Sequence, residues 1–288
     1  MTRRLLALFL VLSLAPATLC AQSPEVEISP DVVYGHKYGL ALTMDVFKPA
    51  EKPNGAGVLF MVSGGWFSRW APPEQTQALF RPLTDKGFTV FAVRHGSSPK
   101  FSIPEAVEDV RRSVRFIRLN AERFEVDPER LGVYGASAGG HLSLVLGTAS
   151  DEGDPDAEDP VLRVSSRVQA VVAYVAPTDL RIMVWEAPDH LPAYERFPAL
   201  DLDLEAAEQF SPLVHVTPDD PPTLLMVGAK DDLVPMKHSQ EIQAAFKKHK
   251  VDSQLIVFED AGHGLGGEDA VKATQEMVSW FETHLAGE

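Results

Sequence analysis

Short apolar runs recur along the chain and alternate with amphipathic stretches. Residues 57–62 (GVLFMV) and 88–93 (FTVFAV) are almost continuously apolar, which is typical of strands buried on both faces of a sheet. The same pattern predicts four further strands, at residues 131–134, 168–175, 223–227 and 254–258. Two runs near the start, at residues 32–35 and 41–47, predict an opening pair of strands. These runs supply the strands of the predicted sheet.

The stretches between these runs have the spacing of helices. The clearest helix begins near Ser102, where Ser102 and Glu105 match a capping box and Pro104 stands in the first turn. One apolar stripe follows, formed by Val107, Val110, Val114 and Ile117. Further helices are predicted around residues 141–146, 236–249 and 268–285. Alternating strands and helices predict an α/β fold, with a mostly parallel central sheet and helices on both faces.

Two segments interrupt this alternation. Residues 179–222 form a long, proline-rich stretch with scattered aromatic side chains, and we expect an inserted helical cap there. Residues 151–159 (DEGDPDAED) carry six acidic side chains and no basic one. They lack the ordered ligand spacing of a calcium loop, so the pattern favours a solvated loop over a calcium site.

The first residues have the pattern of a secretory signal peptide. Arg3 and Arg4 precede an apolar run over residues 5–15, and small residues follow. We expect cleavage after Cys20 or Ala21, so that residues 1–21 are the signal peptide and residues 22–288 form the mature domain. The run is too short for a membrane anchor. These features predict a secreted or periplasmic protein.

Composition excludes several classes of protein. The 288 residues are 45% hydrophobic and 23% charged, as in ordinary globular domains. With 26 basic against 41 acidic residues, the net charge of −15 disfavours binding to nucleic acid. The single cysteine, Cys20, provides neither a disulfide framework nor a thiolate zinc site.

Residues 135–140 (GASAGG) carry the most informative pattern. They match G-x-S-x-G and stand between a predicted strand and a predicted helix, which is the setting of a nucleophile elbow. A sharp turn of this kind exposes the hydroxyl of Ser137 and leaves room only for glycine beside it. A glycine-rich turn with an idle serine is the alternative.

A serine hydroxyl needs a base to remove its proton, and the base needs a carboxylate to orient it. His263 follows the last predicted strand and has glycines on both sides. Asp231 follows the strand before it, with Asp232 as the alternative acid. The chain order Ser137, Asp231, His263 is that of α/β-hydrolases, and each residue follows a different strand.

The intermediate of such a reaction needs hydrogen-bond donors for its oxyanion. The backbone amides of Gly64 or Gly65, together with that of Ala138, are the candidates because both segments follow predicted strands. A plain Gly-Gly turn is the alternative. Trp66 is predicted either to line the substrate pocket or to pack in the core.

Together these residues resemble the esterases of the α/β-hydrolase fold, in particular the group that includes hormone-sensitive-lipase-like enzymes and bacterial feruloyl and acetyl-xylan esterases. The resemblance runs from about Tyr38 to the C-terminus and is most specific over residues 127–142 (DPERLGVYGASAGGHL). It implies Ser137 as nucleophile, Asp231 as acid and His263 as base, with no metal or cofactor. It also implies a substrate with a short acyl group on a sugar or an aryl alcohol. The family usually has His-Gly-Gly-Gly where this chain has residues 62–65 (VSGG).

Three other functions use parts of the same pattern. An arylformamidase or a prolyl-peptidase-like enzyme would direct the same triad at an amide, although the sequence shows no propeller repeats. A non-catalytic binding protein would keep the fold, but it would have no reason to keep all three triad residues. An enzyme of lipid surfaces would present an apolar cap, whereas residues 201–208 (DLDLEAAE) are strongly acidic.

Overall fold

The computed structural model describes residues 25–285. Eight strands form one sheet in the order β1-β2-β4-β3-β5-β6-β7-β8. The first two pairings, β1 with β2 and β2 with β4, are antiparallel, and all the others are parallel. The strands are β1 (Val26–Lys37), β2 (Leu40–Pro49), β3 (Gly57–Met61), β4 (Thr89–Val93), β5 (Leu131–Ala136), β6 (Ala170–Tyr174), β7 (Thr223–Gly228) and β8 (Ser253–Phe258). The predicted mostly parallel α/β sheet is confirmed.

Helices cover both faces of this sheet. They are α1 (Pro73–Thr84), α2 (Ile103–Leu119), α3 (Ala121–Phe124), α4 (Ala138–Thr148), α5 (Leu204–Gln209), α6 (Lys237–His249) and α7 (Gly267–His284). One core includes Val110 of α2, Leu142 of α4 and Phe246 of α6. The other includes Phe80 of α1 and Phe281 of α7. The predicted signal peptide at residues 1–21 lies outside the described residues.

The segment between β6 and β7 folds onto the first of these cores. Its Leu180, Tyr194 and Leu200 are buried there. The segment contains short 3-10 turns separated by irregular chain, and its only α-helix among the described residues is the six-residue α5. Prolines begin three of these 3-10 turns, and the proline ring cannot continue a regular helix. The predicted cap is therefore present as a compact lid with little α-helix, called the cap below.

The acidic loop at residues 151–159 is held by arginines. Asp151 pairs with Arg115, and Asp159 pairs with Arg112 at 2.6 Å. Within residues 25–285, no group of three or more metal-ligating side chains is close enough to hold a metal ion. None of the helices in this part of the chain has the length and apolar character needed to cross a membrane.

Candidate active site

Ser137 occupies the single position between β5 and α4. Its backbone has φ 54° and ψ −122°, which is an unfavourable conformation for a residue with a side chain. Hydrogen bonds hold this turn on both sides, because the Ser137 amide donates to the Tyr174 carbonyl and the His141 amide donates to the Ser137 carbonyl, each at 2.9 Å. The backbone at Ser137 is therefore held from both sides of the turn.

Glycine is required on both sides of this serine. A Cβ atom at Gly135 would lie 2.5 Å from the backbone of Gly139. A Cβ atom at Gly139 would lie 2.6 Å from the carbonyl oxygen of Met61, in the neighbouring strand β3. The G-x-S-x-G pattern is thus explained by the close approach of backbone segments at the turn.

The three residues of the predicted triad lie within hydrogen-bond distance of one another. His263 Nε2 is 3.0 Å from Ser137 Oγ, and His263 Nδ1 is 2.8 Å from Asp231 Oδ2. Since a carboxylate can only accept, the imidazole carries its proton on Nδ1 and presents a free lone pair to the Ser137 hydroxyl. This geometry suits removal of the serine proton by His263.

The carboxylate of Asp231 is fixed in this orientation. Its side chain is fully buried, and its Oδ1 accepts hydrogen bonds from the amides of Leu233 at 3.0 Å and Val234 at 2.8 Å. Asp232, the alternative acid, is exposed. The loops of acid and base are also joined directly, because the Lys230 amide donates to the Ala261 carbonyl at 2.9 Å.

The predicted oxyanion segment forms a tight turn after β3. The amide of Gly64 donates to the Phe67 carbonyl at 3.0 Å, and the Phe67 amide donates back to Gly64 at 3.1 Å. Gly65 and Trp66 between them have φ of 57° and 56°, the signature of a type I′ turn. We call residues 64–67 the oxyanion turn.

The oxyanion turn changes which amides are available. The structure contradicts the prediction for Gly64, because its N–H is already used in closing the turn. Among residues 25–285, the amides of Gly65 and Trp66 have no acceptor. The amide of Ala138 opens helix α4, where the first N–H groups lack partners within the helix. The three candidate donors are therefore Gly65, Trp66 and Ala138, and only the first and third were predicted.

A hydrogen-bonded pair, the buried His95 and the half-buried Ser63, supports the oxyanion turn at the position where the esterases that this sequence resembles have His-Gly. His95 Nδ1 donates to the carbonyl of Gly96 at 2.8 Å, so its Nε2 accepts from the Ser63 hydroxyl, also at 2.8 Å. Burial lowers the pKa of His95, which keeps the ring neutral. The sequence alone did not associate His95 with this site, since His95 and Ser63 are far apart in the chain.

Trp66 is buried and also borders a small cavity beside Ser137. Its indole is 3% exposed, and Nε1 donates to Nδ1 of His141 at 3.1 Å. His141 Nε2 in turn donates to the Phe210 carbonyl in the cap at 2.8 Å. Burial lowers the pKa of His141 to about 4, so the ring is neutral and can accept from the indole.

A very small cavity lies between Ser137, the oxyanion turn and the cap. Its volume is about 20 Å³, and its walls include Trp66, Ser137, Tyr194, Phe197 and Leu233. One water molecule requires about 10–15 Å³ in a cavity measured this way. The space beside Ser137 is therefore narrow.

Comparisons with known proteins give consistent matches. The BD-FAE family model matches residues 44–246, and the dienelactone hydrolase family model matches residues 210–285. Two curated relatives from Mycobacterium tuberculosis are a probable carboxylic ester hydrolase, LipM, at 26% identity over 89% of this chain, and the esterase LipQ, at 25% over 75%. The aligned regions span 62% and 52% of the lengths of these two relatives.

Solved structures share the fold. An acetyl ester-xyloside bifunctional hydrolase from Caldicellulosiruptor lactoaceticus has a TM-score of 0.75 at 24% identity, with 91% of this chain and 98% of that chain covered. A truncated carbohydrate esterase from gut microbiota also has a TM-score of 0.75, at 23% identity over 91% of this chain and 98% of that one. At these identities the similarity establishes the fold.

Proposed function

This chain belongs to the BD-FAE family, and we propose that it is a serine hydrolase that cleaves carboxylic esters through an acyl-enzyme. Family and fold together confirm the resemblance to α/β-hydrolase esterases that the sequence predicts. The observation that carries the proposed activity is the position of His263, which is within 3.0 Å of the Ser137 hydroxyl and 2.8 Å of the Asp231 carboxylate.

In the first half of the proposed reaction, Ser137 Oγ attacks the ester carbonyl while His263 Nε2 takes its proton. Asp231 stabilises the imidazolium that forms. The carbonyl oxygen becomes an anion, and the amides of Gly65, Trp66 and Ala138 donate to it. His263 then gives its proton to the departing alcohol, which leaves the acyl group on Ser137.

In the second half, water replaces the alcohol. His263 removes a proton from the water, which attacks the acyl-enzyme carbonyl, and the same amides stabilise the second oxyanion. Return of the proton to Ser137 releases the carboxylic acid. No step in this scheme requires a metal or a cofactor.

We propose that the acyl group is short, with acetyl as the preferred case. The 20 Å³ cavity beside Ser137 supports this, because a space of this size suits a small group such as methyl. Names of similar structures refer to acetyl ester-xyloside and carbohydrate ester hydrolysis. An acetylated sugar and an acetylated aryl or alkyl alcohol are therefore the two substrate classes to compare.

A single experiment tests the activity. The protein should hydrolyse p-nitrophenyl acetate, and Ser137→Ala should lower kcat by several orders of magnitude, as loss of a triad nucleophile does. Equal rates in the two proteins would contradict the proposal and favour a non-catalytic binding protein. Faster hydrolysis of N-formylkynurenine than of any ester would favour an amide-directed enzyme.

We also propose that residues 1–21 direct export to the periplasm or the medium. The charged and apolar pattern of this segment is the support. N-terminal sequencing of the protein recovered from a secreting host should begin at Ala21 or Gln22. A protein that keeps Met1 and stays in the cytoplasm would contradict export.

A further inference from the structure

A second and much larger cavity borders the triad on the other face of the sheet. Its volume is about 340 Å³, within the range of small-ligand pockets. It lies between helices α1 and α7, with Phe80 and Met277 among its walls. Two residues connect it to the catalytic centre: His263 forms part of its wall, and Ala136, directly before the nucleophile, is exposed at its lining.

The two cavities face different parts of the site. The 20 Å³ cavity is lined by Ser137 and the oxyanion turn, where the acyl carbon and its oxygen must lie. The 340 Å³ cavity is lined by His263, which must reach the oxygen of the departing alcohol to protonate it. This arrangement assigns the small cavity to the acyl group and the large cavity to the alcohol.

The walls of the large cavity have little to offer a sugar. No charged side chain lines it among the described residues, and aromatic and aliphatic groups predominate. Of its three side-chain hydroxyls, two already donate within the protein, Tyr174 to the Ala273 carbonyl at 3.2 Å and Thr274 to the Ala270 carbonyl at 2.8 Å, which leaves the hydroxyl of Tyr134. Sugar hydroxyls placed here would lose water without enough partners, which is unfavourable.

We propose that this cavity binds the alcohol part of the ester, and that this alcohol is bulky and apolar, either aromatic or cyclic alkyl. The preferred substrate is then a small acyl ester of an apolar alcohol, in contrast to the acetylated sugars named for similar structures. This inference rests on the proposed ester hydrolase activity. The mouth of the cavity is also apolar, since Leu79 is 66% exposed at its edge.

Three acetate esters with unactivated alcohols separate the possibilities: methyl acetate, benzyl acetate and a monoacetylated methyl xyloside. Release of acetic acid is followed by titration at constant pH. We expect kcat/KM for benzyl acetate to exceed that for each of the other two at least tenfold. A preference for the acetylated xyloside, or equal values for all three, overturns the assignment while leaving the esterase proposal intact. If none of the three acetates and no p-nitrophenyl ester is hydrolysed, both proposals fail.

A variant that fills the cavity tests its location. Ala270 lines the cavity, whereas Val271, the next residue of α7, is 59% exposed outside it. Ala270→Phe should lower kcat/KM for benzyl acetate at least tenfold, mainly through KM, and should lower kcat/KM for methyl acetate by a clearly smaller factor. Val271→Phe is the matched control and should change neither value. Equal losses on both esters with the fold intact by circular dichroism would contradict the assignment.

A second variant changes an exposed residue at the edge of the cavity. Leu79→Asp places a charge at the exposed edge of the cavity without removing a buried group. We expect it to lower kcat/KM for benzyl acetate at least threefold and to lower kcat/KM for methyl acetate by a smaller factor. Unchanged kcat/KM for both esters in both Leu79→Asp and Ala270→Phe would show that the alcohol binds elsewhere.

Discussion

The indole Nε1 of Trp66 donates to Nδ1 of His141 over 3.1 Å, and this bond joins the oxyanion turn to the helix that follows the nucleophile. The other nitrogen of His141 donates to the Phe210 carbonyl, so the same ring also holds the cap. The backbone amide of Trp66, one of the three candidate oxyanion donors, is therefore held in place through the ring of His141, which lines neither of the two cavities beside the triad.

Removing His141 should accordingly reduce the rate of the chemical step more than substrate binding. In His141→Ala the indole loses its acceptor and the turn loses its connection to α4. We expect kcat for p-nitrophenyl acetate to fall about 10- to 100-fold with KM changed less than threefold, because the oxyanion donors act mainly in the transition state.

Trp66→Phe provides the paired test of this bond, since it keeps an aromatic ring and removes the donor. The losses of kcat in Trp66→Phe and in His141→Ala should be less than additive in the double variant, because both substitutions remove the same hydrogen bond. A rise in KM with unchanged kcat in His141→Ala would contradict the positioning role.

The acid of the triad can be tested against its immediate neighbour. In Asp231→Asn, the amides of Leu233 and Val234 would hold the side-chain oxygen, which turns the NH₂ group toward His263. The imidazole would then carry its proton on Nε2 and could not accept from Ser137. We expect kcat to fall about 10⁴-fold, the size of effect known for a wrong tautomer in serine proteases.

Asp232→Asn serves as the control for this variant. Asp232 is exposed, so this substitution should leave kcat within about twofold of wild type. Steady-state kinetics on p-nitrophenyl acetate measure both variants. A larger loss in Asp232→Asn than in Asp231→Asn would reverse the assignment of the acid.

The sequence predicted the elements whose signals are local. Gly135 and Gly139 are required by one sharp turn, and the residues that this turn needs stand next to one another in the chain. Strands β3 and β4 are apolar on both faces, so their positions could be read from short windows. Helix α1 was not predicted, because Pro82 stands inside it and its polar positions hide the apolar face.

Features that depend on contacts between distant segments of the chain were harder to predict from the sequence. The prediction of the Gly64 amide as an oxyanion donor was wrong, because this amide donates to the Phe67 carbonyl and the sequence does not show that pairing. The amide of Trp66 was not predicted as a donor. It is available because Trp66 has a positive φ, and this conformation is rare for a bulky residue. The pairing of Ser63 with His95, and the cavities on either side of the triad, likewise follow from packing between separate elements.

The small cavity beside Ser137 predicts a steep dependence on acyl length. We expect kcat/KM to fall at least tenfold from p-nitrophenyl acetate to p-nitrophenyl hexanoate, since a longer chain would collide with Tyr194 and Phe197. Phe197→Ala should reduce this ratio, because the Phe197 ring closes the cavity against Gly65. Phe67→Ala, which removes an exposed ring from the same turn, is the control and should leave the ratio unchanged.

Two buried histidines predict a loss of stability in mild acid. Burial lowers the pKa of His141 and of His238 to about 4, from the 6.5 of a free side chain. The unfolded chain therefore takes up protons at these sites as the pH falls from 6.5 toward 4, while the folded protein does not, so the free energy of unfolding decreases over this window. Each shift corresponds to about 3 kcal/mol once the pH is below 4.

Replacing one of these histidines should therefore flatten the pH dependence of stability. His238 accepts from the Thr178 amide at 3.2 Å and lies outside the triad, so His238→Gln isolates the effect from catalysis. Urea unfolding at pH 7 and pH 4.5 should show a smaller difference in this variant than in wild type, even if the variant is less stable at pH 7. The same difference in both proteins would show that His238 is protonated in the folded state and would contradict the lowered pKa.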